Sequence, residues 1–247
     1  MSDAAKCKEL LRRYSIARIP FIAIDTIERA RTLDILKEVS EELTLPFYVH
    51  TLSKGIYDLV TGKVINDDKS VYSAIDFMSE QMKRKQYMTL ILTEIPDLSN
   101  DNADAKQILD LVTLANESGG VVMVLTNNAV WNRLQRLGMV VKMELPSEDE
   151  MYSIIKEYID DYRNEIPIEW DNNDIREAAS TLTGVTRIEA ENVIAALIAN
   201  KSIKKSDMDE VRYAKDRLFS DISGLEKIEV NESVQNVGGL SGLRKWL

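Results

Sequence analysis

The sequence predicts an α/β protein: a five-stranded parallel sheet in a three-layer α/β sandwich, followed by an all-α subdomain. Two observations predict the sandwich. Short runs that are apolar throughout, as strands buried on both faces must be, recur along the first part of the chain. Between them lie segments with helical spacing, and strands alternating with helices imply parallel neighbours joined by right-handed crossovers. A third observation sets the subdomain: after Pro146 the strand pattern stops and helical segments follow one another.

The first helix is short and amphipathic, with Leu10, Leu11 and Tyr14 on one side. Residues 17–24 (ARIPFIAI) form the first expected strand, and Asp25 and Thr26 stand where they would cap a helix over 27–43. Residues 46–51 (PFYVHT) are the second strand. The stretch 53–68, with Gly55, Gly62 and Asn66, is a loop or a small hairpin. Val71, Ala74, Ile75, Met78 and Met82 repeat at helical spacing and predict a helix over 71–85. Residues 87–95 are the third strand. A helix over 102–118 carries Ile108, Leu111, Val112 and Ala115 on one face and stops at Gly119. Residues 121–125 are the fourth strand, 130–137 a short helix closed by Gly138, and 139–145 the fifth strand. Ser147 with Glu150 three positions later is a capping box that opens a helix to about residue 163. Further helices are expected over 172–182, 187–200 and 206–219. The resulting division is a core over 1–146, a helical subdomain over 147–221 and a linking segment over 222–247.

The 247 residues suffice for one large or two modest domains with a real core. An apolar fraction of 45% beside 29% charged residues is ordinary for a soluble globular chain. A net charge of −10 argues against general nucleic-acid binding, which needs clustered Lys and Arg. The best basic run, Lys83 to Lys85, falls at a helix end, where cations suit the macrodipole. The lone Cys7 rules out an internal disulfide and suits a reducing compartment, so a cytoplasmic protein is expected. One Cys and one His leave almost no room for a zinc site. No apolar run reaches the roughly 20 residues of a membrane span, and the N-terminus has no apolar signal core.

The candidate chemistry lies at the strand tips. The third strand ends at Glu94, preceded by Thr93 and followed by Pro96; the fourth ends at Asn127 and Asn128. A P-loop ATPase lays out its Walker B and sensor strands this way, with acids that hold magnesium and an asparagine that orients water. The plainer reading of both is a solvent-facing strand tip and a loop that favours Asn. What such an enzyme needs upstream is missing. A G-x-x-x-x-G-K-[ST] loop between strand and helix would aim backbone N–H groups at the phosphates. Here the first strand runs into DTIERAR (25–31) with no glycine, and Asp25 and Glu28 place carboxylates where phosphates would sit. The nearest mimic, Thr61-Gly62-Lys63, lacks the earlier glycine and is followed by Val64.

Arg133 and Arg136 lie between the fourth and fifth strands. In an assembled ring, arginines there can reach a neighbour's γ-phosphate; they fit a solvated helix face equally well. Arg187 opens a helix after Gly184 and either mimics a second sensor or is simply exposed. His50 has no nucleophile pattern near it. Asp67, Asp68, Asp160, Asp161, Asp171 and Asp174 lack EF-hand spacing. Trp131 and Trp170 read as packing residues.

The order of parts, with a Glu-tipped third strand, an Asn-tipped fourth and then a four-helix lid, resembles the AAA+ ATPase superfamily and its P-loop-NTPase-like fold. PSEDEMYSII (146–155) is similar to the proline-led helix that opens an AAA+ lid, and TLTGVTRIEAENVI (181–194) to the later lid helix that follows a Gly. VGGLSGLRKWL (237–247) resembles the start of a second AAA+ module, just before that module's phosphate loop. Together they resemble a plastid, cyanobacterial and bacterial two-module family whose first module is degenerate.

The resemblance implies that this chain binds no cofactor itself, with ATP and magnesium held by the downstream module. It also implies a hexameric homo-oligomer of the full-length protein and an unidentified protein substrate, so that this chain serves assembly, coupling or recruitment. A stand-alone interaction module is the alternative expectation, and a small-molecule enzyme at Asp25, Glu94 and Asn127 the third.

Overall fold

The apolar runs of the sequence form one sheet. The computed structural model describes residues 3–84, 87–95 and 97–223. Its strands are β1 (Phe21–Asp25), β2 (Phe47–Thr51), β3 (Gly55–Asp58), β4 (Val64–Asn66), β5 (Thr89–Leu92), β6 (Val121–Thr126) and β7 (Gly138–Lys142). They lie in the order β4-β3-β2-β5-β6-β1-β7. The five expected parallel strands make up β2-β5-β6-β1-β7. The other two extend the β2 edge as an antiparallel hairpin, formed by the stretch that the sequence offers as loop or small hairpin.

Helices α1 (Asp3–Ile16) and α2 (Arg29–Leu43) cover one face of the sheet; α3 (Val71–Lys83), α4 (Ala103–Ser118) and the short α5 (Asn132–Gln135) lie on the other. Strand alternation sorts the core into these two layers. Phe21, Ala23, Leu90, Leu92, Val122 and Val124 face α3 and α4, whereas Ile22, Ile24, Ile91, Val121, Met123 and Leu125 face α1 and α2. Because both faces are covered, residues 21–24, 90–92 and 121–125 of these strands are apolar without a break.

The boundaries differ from the sequence expectation where local chemistry is subtle. Residues 17–20 are not strand: α1 ends at Ile16, Arg18 takes a φ of 50° and β1 starts only at Phe21. Asp25 and Thr26 do not cap α2. Asp25 closes β1, while the Thr26 hydroxyl accepts the Glu28 N–H at 2.9 Å and Glu28 itself holds the cap position. Gly138 does not end a helix but opens β7, where its bare Cα lets Phe21 come close: a Cβ there would sit 1.8 Å from the Phe21 carbonyl oxygen.

Beyond β7 the chain is helical: α6 (Glu148–Tyr162), α7 (Asn172–Thr181), α8 (Arg187–Ala199), a 3₁₀ turn at Lys205–Asp207 and α9 (Met208–Ser223). Capping boxes open three of them, at Ser147 with Glu150, Asp171 with Asp174 and Thr186 with Glu189. These helices share their own core around Trp170, Met151, Ile155, Ala178 and Ile194, and the Trp170 indole N–H donates to the Lys204 carbonyl at 2.9 Å. The expected linking segment starts inside α9, and its residues 224–247, with the VGGL stretch, lie outside the described residues. So do Lys85 and Pro96. Among the described residues no helix is long and apolar enough to cross a membrane.

Candidate functional site

In an open α/β sheet, ligands bind outside the carboxyl ends of the strands. There the tips of β1, β5 and β6 border a cleft of about 310 Å³ lined by Thr26, Ile27, Arg29, Thr93, Glu94, Ile95, Leu125, Thr126, Asn127 and Asn128. The structure therefore brings Glu94, Asn127 and Asn128 together, although Glu94 stands two residues past the end of β5. Each is already engaged or turned to solvent. Arg29, in the first turn of α2, donates to the Glu94 carboxylate across the cleft. Thr93, in the place a Walker B partner acid would take, is buried and donates its hydroxyl to the His50 carbonyl at 2.9 Å. Thr126 accepts the Asn128 N–H at 3.0 Å, and both asparagines are exposed.

The connection from β1 to α2 is the part that would hold phosphates. It consists of residues 26–28 alone and contains no glycine. A cradle of the G-x-x-x-x-G-K-[ST] pattern spans about eight residues. These residues do not fit a phosphate: the connection is too short to wrap one, and it ends in a carboxylate.

That carboxylate is the centre of the second constellation. Glu28 and Arg31 are only 5% and 7% exposed, yet both are charged residues. Buried charges need partners. Arg31 donates to Glu28 at 2.5 Å, to the Glu144 carbonyl at 2.8 Å and to the Glu150 carboxylate at 2.9 Å. The other oxygen of Glu28 accepts the backbone N–H of Arg187, the first residue of α8, at 2.5 Å, where the helix dipole favours an anion. The Arg187 side chain reaches Glu191 at 2.6 Å and Asp34 at 3.4 Å, and the Glu191 carboxylate holds its guanidinium above the ordinary range. A small cavity of about 190 Å³ remains between α2 and α8, lined by Ile27, Glu28, Arg31, Asp34, Arg187 and Glu191 among others.

The remaining sequence candidates lie apart. Arg133 on α5 and Arg136 at its C-terminal cap are exposed; Arg133 stacks 5.7 Å over the Trp131 ring and Arg136 donates to Asn132 at 3.0 Å. Gly138, two residues on, pairs with Phe21 at the start of β1, so Arg136 lies toward the far end of the strands from the cleft. Thr61, Gly62 and Lys63 form the tip of the β3–β4 hairpin, with Asp58 accepting the Thr61 N–H at 2.7 Å. His50 is wholly buried in β2; its Nε2 lies 3.1 Å from the Lys69 carbonyl, and its Nδ1 has no hydrogen-bond partner among the described residues. Burial pushes its pKa below the ordinary value of 6.5. Sequence reasoning marked Glu28 as a carboxylate in a phosphate position but missed its partner Arg31 and the Glu150 contact. The i, i+3 spacing of Glu28 and Arg31 on a helix start was the available signal.

Residues 7–143 match the family model described as SpoVK-like AAA ATPase, N-terminal domain, and residues 149–221 match that of its second domain. A protein of Guillardia theta described as an uncharacterized AAA domain-containing protein, ycf46, is 21% identical over 94% of this chain and 45% of its own length. The ycf46 protein of Trieres chinensis is 22% identical over 94% of this chain and 46% of its own. The chain thus spans about half the length of the curated relatives it matches. Among solved structures, Caenorhabditis elegans PCH-2 superposes with a TM-score of 0.59 at 10% identity, over 89% of this chain and 69% of that one. Thermotoga maritima RuvB gives 0.52 at 15% identity, over 92% and 74%. At such identities the likeness concerns the fold.

Proposed function

The chain belongs to the SpoVK-like AAA ATPases, within the AAA+ superfamily, and on that premise we propose that its core and lid form an AAA+-like module that neither binds nor hydrolyses ATP. One observation carries this reading: the three-residue connection of β1 to α2, whose Glu28 spends its carboxylate on Arg31 and on the N-terminus of α8. An anionic nucleotide placed there would meet a buried carboxylate and no backbone cradle. Glu94 and Asn127 are then relics of the fold, and Glu94 serves as the partner of Arg29.

The module acts, on this reading, within a larger ATP-hydrolysing protein in the cytoplasm, in assembly, coupling or recruitment of a protein substrate. Relatives about twice as long support that setting. ATP and magnesium belong to a further module, and the full protein works as a homo-oligomeric, hexameric ring. Arg133 and Arg136 are the one catalytic contribution left to this chain, as trans-acting groups toward a neighbour's phosphates. Titration calorimetry of this chain with ATP and magnesium tests the central point. No heat of binding is expected, and micromolar affinity would sink it.

The strand-tip cleft favours a second reading, a small-molecule site, because its lining is polar and Arg29 stands at its rim. Under that reading Glu94→Ala abolishes a measurable activity; under the first it does not.

A further inference from the structure

We propose that Glu28, Arg31, Glu150 and Arg187 form a lock that holds the lid at one fixed angle to the core, whatever nucleotide is present. The inference rests on the reading of this module as one that binds no nucleotide, and adds what takes the nucleotide's place at the junction.

The geometry is that of a junction bolt. One guanidinium, on Arg31, touches three parts of the molecule: Glu28 at the end of the β1–α2 connection, the Glu144 carbonyl in the segment 143–147 that joins β7 to α6, and Glu150 in the first turn of α6. It therefore pins the core, the connecting backbone and the lid at once. Two further links cross the same junction, from the Arg187 N–H to Glu28 and from the Arg187 side chain to Asp34. The core side of the bolt is itself held. The Glu28 N–H donates to the Thr26 hydroxyl at 2.9 Å, and the Thr32 hydroxyl donates to the Glu28 carbonyl at 2.8 Å. The connecting segment is anchored at its start as well, by the Met143 N–H on the Asp25 carbonyl at 2.9 Å.

Charge balance favours the closed arrangement. If the lid swings away, Glu28 keeps Arg31 but loses the α8 N–H, while Arg31 loses Glu150. Both charge-assisted bonds are lost together in that movement, and hydrogen bonds to charged groups are among the stronger ones a junction can hold. A pair buried to this degree is also poorly screened by salt. The lock therefore admits one lid angle.

Distance measurement between paired spin labels on the full 247-residue chain tests this. One label goes on Lys37→Cys in α2 and the other on Asp161→Cys in α6, both exposed positions. Cys7 is buried, with its thiol pushed up to about 11, and stays unlabelled. The lock predicts one narrow distance that does not move when millimolar ATP and magnesium are added. It also predicts that Glu28→Gln with Glu150→Gln broadens the distribution toward longer distances. Gln at position 150 keeps the capping box of α6, so the change isolates the charge facing Arg31. Should the double variant fail to fold, Glu150→Gln alone carries the same comparison. A shift of the unmodified chain on adding ATP overturns the lock. So does a variant that keeps the narrow distribution. Calorimetric binding of ATP with an unmoved distance overturns the nucleotide-free reading and leaves the lock standing.

Discussion

At the scale of single residues, the stability of this chain turns on a few buried groups whose neighbours cannot be exchanged freely. Arg31→Met leaves the Glu28 and Glu150 carboxylates facing each other's surroundings without a counter-charge, and should cost about 3–5 kcal/mol in urea unfolding. Arg212→Ala, in an exposed trio with Glu177 and Asp209, should cost less than about 1 kcal/mol in the same assay. Gly138→Ala forces a Cβ into the Phe21 carbonyl and should destabilise by about 1–3 kcal/mol. His50 supplies a pH dependence. Its folded pKa is depressed by burial, so the unfolded chain takes up the proton first and stability falls as pH drops below 6.5. That slope is at most about 1.4 kcal/mol per pH unit and should be missing from the His50→Gln curve, measured as urea midpoints from about pH 7.5 down to pH 5.5.

At the scale of elements, the parts legible in advance were those whose signal is local. The strands were visible because both faces of the sheet are covered, which makes Phe21 to Ile24 or Val121 to Leu125 apolar without a break. The α6 capping box was visible because its two members are three residues apart. It predicts that Ser147→Ala costs about 0.5–2 kcal/mol, read from a thermal melt. Other features depend on distant contacts and left no local trace. Residues 17–20 look like strand from composition, yet the sheet pairs only from Phe21 onward, where Val122 and Gly138 flank it. Gly138 looks like a helix stop until the Phe21 carbonyl is placed beside it. The candidate site divides the same way. The Glu94 and Asn127 tips follow from strand ends; that the β1, β5 and β6 tips share one cleft depends on the strand order of the sheet. The role of Glu28 did not follow, because its acceptor role toward Arg187 joins residues 159 positions apart.

At the scale of the whole molecule, one sheet and one helical lid meet at a junction bridged by the chain's own ion pairs, beside a cavity of about 190 Å³. Trp170 and its neighbours give the lid an independent core, so the junction is free to be polar. Glu28 and Arg31 lie where the β1–α2 connection meets that lid. The most direct measurement is the melting temperature of this chain with and without excess ATP and magnesium. A ligand at 100 times its dissociation constant would add about 2.7 kcal/mol, or roughly 5–10 °C for a chain of this size. The melting temperature should not move at millimolar ATP and magnesium. A rise of that order would contradict the account, because it would mean that a nucleotide enters a space that Glu28 and Arg31 are held to occupy.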